Sequence, residues 1–434
     1  MKLRYDLKLK FTDIFIEEKY LNTLVFMFLG GFMWWISEER RKAIEVIRKT
    51  VRSIVDKYDS RYWIDKDERR EYPLEFIQEL EKHELMGANI PENYGGSGYG
   101  LVEGDLILEE IAASPGGITA SNTVHAAFFN NHIIVKYGGE GVKQKYLPEI
   151  AKGRLRAQVF AVTEPHAGFN TSRISTFARQ EGDYYIINGQ KTFISRVRHS
   201  DLGVLAARVV PYDKVEKKTL GIALFLIDLR EAKGKYIKLE EIPNNVRRCI
   251  DTNTMYIEDL PVPAENLLGD RMRGFYHLLE EANAERTLIA GQSVAVGRYA
   301  IRKAVEYAKQ RVVFPPDPIA KYQGIQFPLA EAWIRLEAAD WVKWKALELL
   351  EKGAPPREIG YYANIAKYLA GEAGYHACRM AMWTLGGYGY SCEMDIERLW
   401  RGAELGAGPG QISPHMILNY VATSILGMPR SYGE

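Results

Sequence analysis

The hydrophobic period of this chain changes twice, and those two changes restrict its fold more than any single residue does. From Ser37 to about Gly153, apolar residues return every three or four positions. In "SEERRKAIEVIRKTVRSIVDKY", Ile44, Ile47, Val51, Ile54 and Val55 repeat at helical spacing behind a capping-box-like start, with Ser37 and Arg40 one turn apart and Glu38 and Glu39 in the first turn. Another helix is expected after Pro73, running into the glycine-dense "GANIPENYGGSGYG", and further helical segments in "VEGDLILEEIAAS", "NTVHAAFFNNHIIVKYG" and "EGVKQKYLPEIAKG". The pattern then shortens. "AQVFAVTE", "TSRISTFARQEGDYYIINGQKTFIS", "DLGVLAARVV", "GIALFLIDL" and "TNTMYIEDLPVP" are runs rich in Val, Ile, Thr and Tyr bounded by Gly, Asp and Asn, which predicts strands. The Asn188-Gly189 pair in "INGQK" has the composition of a tight hairpin turn. From Gly274 the helical period returns in four amphipathic segments, the last of them "QISPHMILNYVATSILG", joined by short links as in a helical bundle. The expected organisation is α+β and multidomain: helical over 37–155, β over 156–270, helical again over 271–434.

Charge and cysteine content narrow the function classes. Lys plus Arg number 57 against 56 Asp plus Glu, a net charge of +1, so a nucleic-acid binder working through a basic surface is not expected. Cys249, Cys378 and Cys392 lie far from any metal-ligand or paired spacing; they are expected to be reduced and buried in an intracellular, cytoplasmic protein with no metal site. Residues 1–36 form an N-terminal extension ahead of the helical domain. Its stretch "YLNTLVFMFLGGFMWWI", residues 20–36, is nearly all apolar but shorter than a spanning helix and interrupted by Gly30 and Gly31. Three readings stand: a buried or oligomer-facing helix, an interfacial membrane anchor, or a non-native extension with Met33 as the true start, which is favoured over membrane contact.

One polar residue breaks the pattern of the first bundle helix. In "EEANAERTLIAGQSVAVG", Leu278, Glu285, Ile289 and Val296 fall in one narrow sector at about 100° per residue, with Ala282 beside them. Glu285 therefore points inward, where a charge costs several kcal/mol unless it is paired or neutralised. On helix geometry alone this is a carboxylate paired to an interior arginine, a misjudged edge of the stripe, or a functional acid.

Six groups of motifs decide between families: "GANIPENYGGSGYG", "FAVTEPHAGFN", "INGQKTFIS", "PVPAENLLG", "AKQRVVF" with "IAKYQGIQF", and "LGGYGY" with "IERLWR". Their order and spacing resemble those of acyl-CoA dehydrogenases over about residues 37 to 427. The resemblance implies an N-terminal helical domain, a middle β-barrel and a C-terminal four-helix bundle, assembled as a homotetramer or homodimer with FAD. It implies oxidation of an acyl-CoA to its 2,3-enoyl-CoA: a glutamate removes the α-proton, the flavin takes a hydride from the β-carbon, and an electron-transferring flavoprotein collects the electrons. Carried over by position, Phe160, Val162 and Thr163 lie against the flavin. Phe193 covers the ring, and Ser195 bonds it. Arg311 and Gln323 approach the FAD pyrophosphate, often that of a neighbouring subunit.

Most members of the family carry the base late in the bundle, but gapless alignment on "ERLWR" puts Gly410 there. A minority, resembling isovaleryl-CoA and long-chain acyl-CoA dehydrogenases, place it early in the C-terminal domain in a Glu-Arg-Leu sequence. "NAERTLIA" matches that position and makes Glu285 the expected base, with Arg286 positioning the local structure or the base near the substrate. Three departures are visible. Phe169 and Asn170 replace a usual Ser-Asp near the cofactor and thioester, Trp383 replaces a glutamine, and "NNVRRC" replaces a Lys-x-Gly-x-Arg-Gly run. Together they admit a second reading, a catalytically silent paralogue acting as a binding or assembly protein. An acyl-CoA oxidase is a closer variant. A DNA-associated relative would need a basic tail, which "ILGMPRSYGE" lacks.

Overall fold

A computed structural model describes residues 35–410 and 412–431. The apolar stretch 20–36, except its last two residues, and the start expected at Met33 lie outside the described residues. The described residues divide into two units between Val46 and Ile47. In the first, helix α1 (Glu38–Val55) begins where Ser37 Oγ accepts from the Arg40 N–H at 3.2 Å. This is half of a capping box, because Arg40 stands where the reciprocal Glu or Gln would be.

The second unit continues with helices α2 (Ser60–Arg69), α3 (Leu74–Lys82), α4 (Leu101–Ala112), α5 (Gly117–Asn122), α6 (His125–Tyr137) and α7 (Glu140–Ala151). Local chemistry sets their ends: Asp59 caps α2 by accepting from the Tyr62 N–H at 3.0 Å, and Glu103 reaches back to the Gly100 N–H at 3.0 Å at the start of α4. The β region is one eight-stranded sheet in which β6 (Ile237–Glu241), β7 (Thr252–Pro263), β3 (Tyr184–Ser195), β2 (Phe177–Glu181), β4 (Leu202–Arg208), β5 (Ile222–Asp228) and β8 (Leu267–Leu268) are neighbours in that order. β1 (Ala157–Ala161) pairs in parallel with β4. Residues from β1 to β7, among them Val159, Ala178, Ile187, Leu205, Phe225 and Ile257, meet in a single apolar cluster, so the sheet curls around its own interior as a barrel does.

Two details of the sequence reading are corrected. Asn188 and Gly189 do not turn; they lie inside β3 at a register shift, where Asn188 bonds Asp259 across the sheet in both directions, at 3.0 and 2.8 Å. Gly189 is required there because a Cβ would sit 2.6 Å from the Thr176 Cα. The β2–β3 hairpin turns instead at Gly182, whose φ of 56° is left-handed. In the bundle, α8 (Gly274–Gln310), α9 (Gln323–Glu351) and α10 (Pro356–Leu385) match the expected long segments. The fourth core helix is α11 (Asp395–Ala407), which supplies Ile396, Leu399 and Ala403 to the shared core. The "QISPHMILNYVATSILG" segment yields only α12 (Pro414–Tyr420) and one π-helical turn, because Pro414 restarts the chain after Ser413. Close packing of α8 on α10 depends on Gly374, where a Cβ would stand 2.3 Å from the Ser293 carbonyl oxygen.

All three cysteines are free. Cys249 and Cys378 are buried, but Cys392 is exposed, since it falls in the link between the "GGYGY" turn and α11 and not on a core-facing helix. Among the described residues no helix is long and apolar enough to cross a membrane.

Candidate active site

Glu285 sits in the first half of α8, half-buried between the buried residues Ala284 and Arg286. Among the described residues its carboxylate makes no hydrogen bond or ion pair. Loss of water therefore dominates its titration and raises it to about 7, against the pull of three cations, Arg286, Arg196 and Lys367. None of these cations is a direct partner. Arg286 gives Nη1 to Asn283 Oδ1 at 3.0 Å, keeps a buried Nε with no acceptor, and is pushed down to about 10 by burial. Lys367, on α10, donates to the Gly408 carbonyl at 3.2 Å and falls to about 8, again through burial. That bond ties α10 to the chain just before Gly410, the position where most of the family would carry the base.

The β domain carries the second group of expected site residues. Phe160 is half-buried and packs edge-to-face on Phe129 at 5.3 Å between ring centroids. The Val162 carbonyl accepts from Lys191 Nζ at 2.9 Å, and the Thr163 carbonyl accepts from the Thr192 N–H at 2.9 Å, which fastens the "FAVTE" segment to β3. The same ammonium reaches Glu164 at 2.8 Å, and that carboxylate also accepts from Ser175 N–H and Oγ and from Thr176 N–H. Burial works against both charges. Lys191 drops to about 8, but the ammonium and the donors overcome burial at Glu164 and bring it down to about 2.

On β3, Phe193 is held at φ 58° and is 65% exposed, an unfavourable conformation for a bulky residue and an unusual place for an aromatic ring. Ser195 Oγ accepts from Arg247 Nη2 at 3.0 Å, so its proton remains free to donate. Phe160, Val162, Thr163, Phe193 and Ser195 thus lie on two adjoining segments. The segments offer an exposed aromatic face and the Ser195 hydroxyl as a donor, a surface that fits the flat, acceptor-edged ring system of a flavin. Phe169 is 63% exposed in the loop that follows Glu164.

Arg311 and Gln323 are elsewhere. Arg311 ends α8 and lines a cavity of about 520 Å³ with Tyr307, Ile319, Leu385 and Tyr388, beside the "GGYGY" turn. Gln323 opens α9, is exposed, and is not among the residues lining that cavity. Trp383 is 54% exposed with the Arg379 guanidinium 4.5 Å from its ring centre. Sequence reasoning missed Lys191, Arg196, Arg247 and Lys367, which surround these groups. A lysine or arginine in a strand or helix carries no local mark of its partner.

Residues 41–154, 159–260 and 272–417 match the models of the acyl-CoA dehydrogenase N-terminal, middle and C-terminal domains. The chain is 35% identical over 399 residues to the acyl-CoA dehydrogenase FadE12 of Mycobacterium tuberculosis, covering 92% of this chain and 99% of that protein. It is 32% identical over 359 residues to the 3-(aryl)acrylate reductase of Clostridium sporogenes, covering 82% and 92%. Butyryl-CoA dehydrogenase from Megasphaera elsdenii superposes with a TM-score of 0.81 at 28% identity, covering 88% of this chain and 98% of that one. The three domains, their order and their coverage place the chain in the acyl-CoA dehydrogenase family, FAD-dependent enzymes that oxidise the CH–CH bond of acyl-CoA thioesters.

Proposed function

We propose that Glu285 is the base that removes the α-proton of the acyl-CoA, and that the groups around it are arranged to keep it a base near neutrality. The observation that carries this is a half-buried carboxylate without a direct partner among the described residues, raised to about 7. A carboxylate at its ordinary value is too weak a base for a thioester α-proton, and one raised much further would be protonated at neutral pH. Burial raises Glu285, while Arg286, Arg196 and Lys367 limit the rise without locking it into a salt bridge. Arg286 also positions the helix turn by holding Asn283.

FAD, when bound, supplies the acceptor for the β-hydride. Phe160, Val162 and Thr163 would lie along its ring and Phe193 would cover it. Ser195 would donate its free proton to a ring acceptor while Arg247 occupies its oxygen. Phe169 would flank the thioester. Arg311 and Gln323 would serve the pyrophosphate from a neighbouring subunit, which fits their distance in sequence and element from the other five and favours a homotetramer or homodimer. An electron-transferring flavoprotein is the proposed electron acceptor, and the cytoplasm the proposed location.

Anaerobic addition of a panel of acyl-CoAs to the flavin-loaded protein tests this reading. One chain class should bleach the flavin band in the wild type and leave it intact in Glu285→Gln. Equal bleaching in both proteins would remove Glu285 as the base. A protein that binds no flavin even when FAD is supplied would replace the catalytic reading with that of a silent paralogue.

A further inference from the structure

We infer that the preferred acyl chain carries a carboxylate at its far end, bound between Arg196 and Arg247. The inference rests on Glu285 marking the α-carbon of the substrate.

Arg196 is buried and Arg247 half-buried, and among the described residues neither has a carboxylate at ion-pair distance. Arg196 donates to the Gln158 carbonyl at 3.1 Å and to the carbonyl and Oδ1 of Asn122 at 2.8 and 2.9 Å. Arg247 donates to the same Asn122 Oδ1 and to Ser195 Oγ. Two guanidinium groups therefore share one neutral amide oxygen. Burial lowers Arg247 to about 9, with the repulsion of Arg196 adding to it, and burial lowers Arg196 as well. The Asp251 carboxylate acts on both guanidinium groups and Glu285 on that of Arg196, through space; the one direct bond among the described residues is from the Arg196 backbone N–H to the Asp251 carbonyl at 3.0 Å. Buried cations in folded proteins are normally matched by an anion.

Neutral donors are also left over. Asn122 spends its oxygen on the arginines, and its buried Nδ2 group has no acceptor among the described residues. Gln292 accepts from Ser121 Oγ at 2.7 Å through Oε1, which fixes its amide, and its Nε2 donates to His125 Nδ1 at 2.7 Å. His125 is then neutral with its proton on Nε2, and this buried N–H likewise has no acceptor among the described residues. Among the described residues the cluster thus holds two guanidinium groups without a bonded carboxylate and two unpaired donors, beside the unpaired acceptors Gln158 Oε1 and Asp251 Oδ1, and Arg196 feels the charge of the base. An apolar tail would leave every one of these groups desolvated, whereas a carboxylate matches a guanidinium fork in shape and charge. The other source of such oxygens is the carbonyl edge of the cofactor ring, and the test separates the two.

The flavin-loaded protein is assayed anaerobically with glutaryl-, adipyl- and suberyl-CoA and with butyryl-, hexanoyl- and octanoyl-CoA. At least one ω-carboxyl substrate should exceed its neutral counterparts in kcat/KM by about tenfold or more. Arg247→Met, assayed per bound flavin, should reduce that ratio by about tenfold, and Arg247→Lys should keep part of it. A wild-type preference for neutral chains overturns the proposal, as does an Arg247→Met protein that loses flavin with its substrate ratio unchanged, since the donors would then serve the cofactor. If Arg247→Met does not fold, the wild-type panel decides alone. The two readings fail separately in Glu285→Gln, where binding is followed by the flavin spectral shift. A retained preference for ω-carboxyl chains with bleaching intact removes the base and leaves the anion site. A preference for neutral chains with bleaching abolished does the reverse.

Discussion

Glu164 and Glu285 are two carboxylates withdrawn from water that titrate on opposite sides of the ordinary value, at about 2 and about 7. Glu164 is 1% exposed in its side chain, faces Lys191 at 2.8 Å, and accepts from three further donors. Glu285 is less buried by surface and has three cations nearby, but none of them is bonded to it. Depth of burial therefore does not set the outcome; directional partners do. A carboxylate with its lone pairs filled is a structural clamp, and one left open is available for a proton. The largest test of this contrast is kinetic. Glu285→Gln should slow anaerobic flavin reduction by about a thousandfold, the usual scale of a lost general base, while Glu164→Gln should alter that rate far less. Comparable losses in both variants would erase the distinction.

The same contrast predicts opposite effects on stability. Lys191→Met strands the Glu164 charge in the barrel and should cost about 3 kcal/mol in denaturant unfolding, with much of it recovered in Lys191→Met/Glu164→Gln. Glu164 is depressed in the folded protein, so its contribution is complete above about pH 4.5 and disappears as pH falls toward 2. Glu285 is raised, so its contribution is complete below about pH 4.5 and disappears as pH rises through 7. Glu285→Gln should accordingly be more stable than the wild type at pH 8 by about 2 kcal/mol, a figure reduced for partial exposure, and should lose that advantage at pH 5. An equal difference at both pH values would mean that Glu285 is not desolvated.

These regions also differ in how much the sequence discloses. Two changes of hydrophobic period are local properties and predict helix, sheet and helix in order. The inward face of Glu285 follows from neighbours within three turns of α8. Lys191 and Glu164 are 27 positions apart, and Arg196 and Asn122 are 74 apart. No periodicity relates such residues, because strand pairing and docking of the helical domain bring them together. Asn188-Gly189 misleads for the same reason. A turn-like composition is overridden when Asp259 of a neighbouring strand supplies the hydrogen bonds a turn would have made internally. The "QISPHMILNYVATSILG" segment misleads in the opposite sense, since its apolar spacing is helical but Pro414 and the π turn confine the helix to Pro414–Tyr420.

The smallest predicted effect separates the cations around Glu285 from true partners. Lys367 lowers the Glu285 carboxyl through space while donating its hydrogen bond to Gly408, so it acts on the base by charge alone. Lys367→Met should move the acidic midpoint of the flavin-reduction rate upward from about 7 by roughly one unit, with little change in the plateau rate at high pH. Because Lys367 itself falls to about 8, its charge fades just above the Glu285 midpoint, and the wild-type profile should be broader than a single titration. The variant, lacking the second titrating group, should give a steeper and simpler curve. A midpoint that stays in place would mean that Arg286 and Arg196 alone set the base, and a collapse of the plateau would mean that Lys367 contacts the reacting groups.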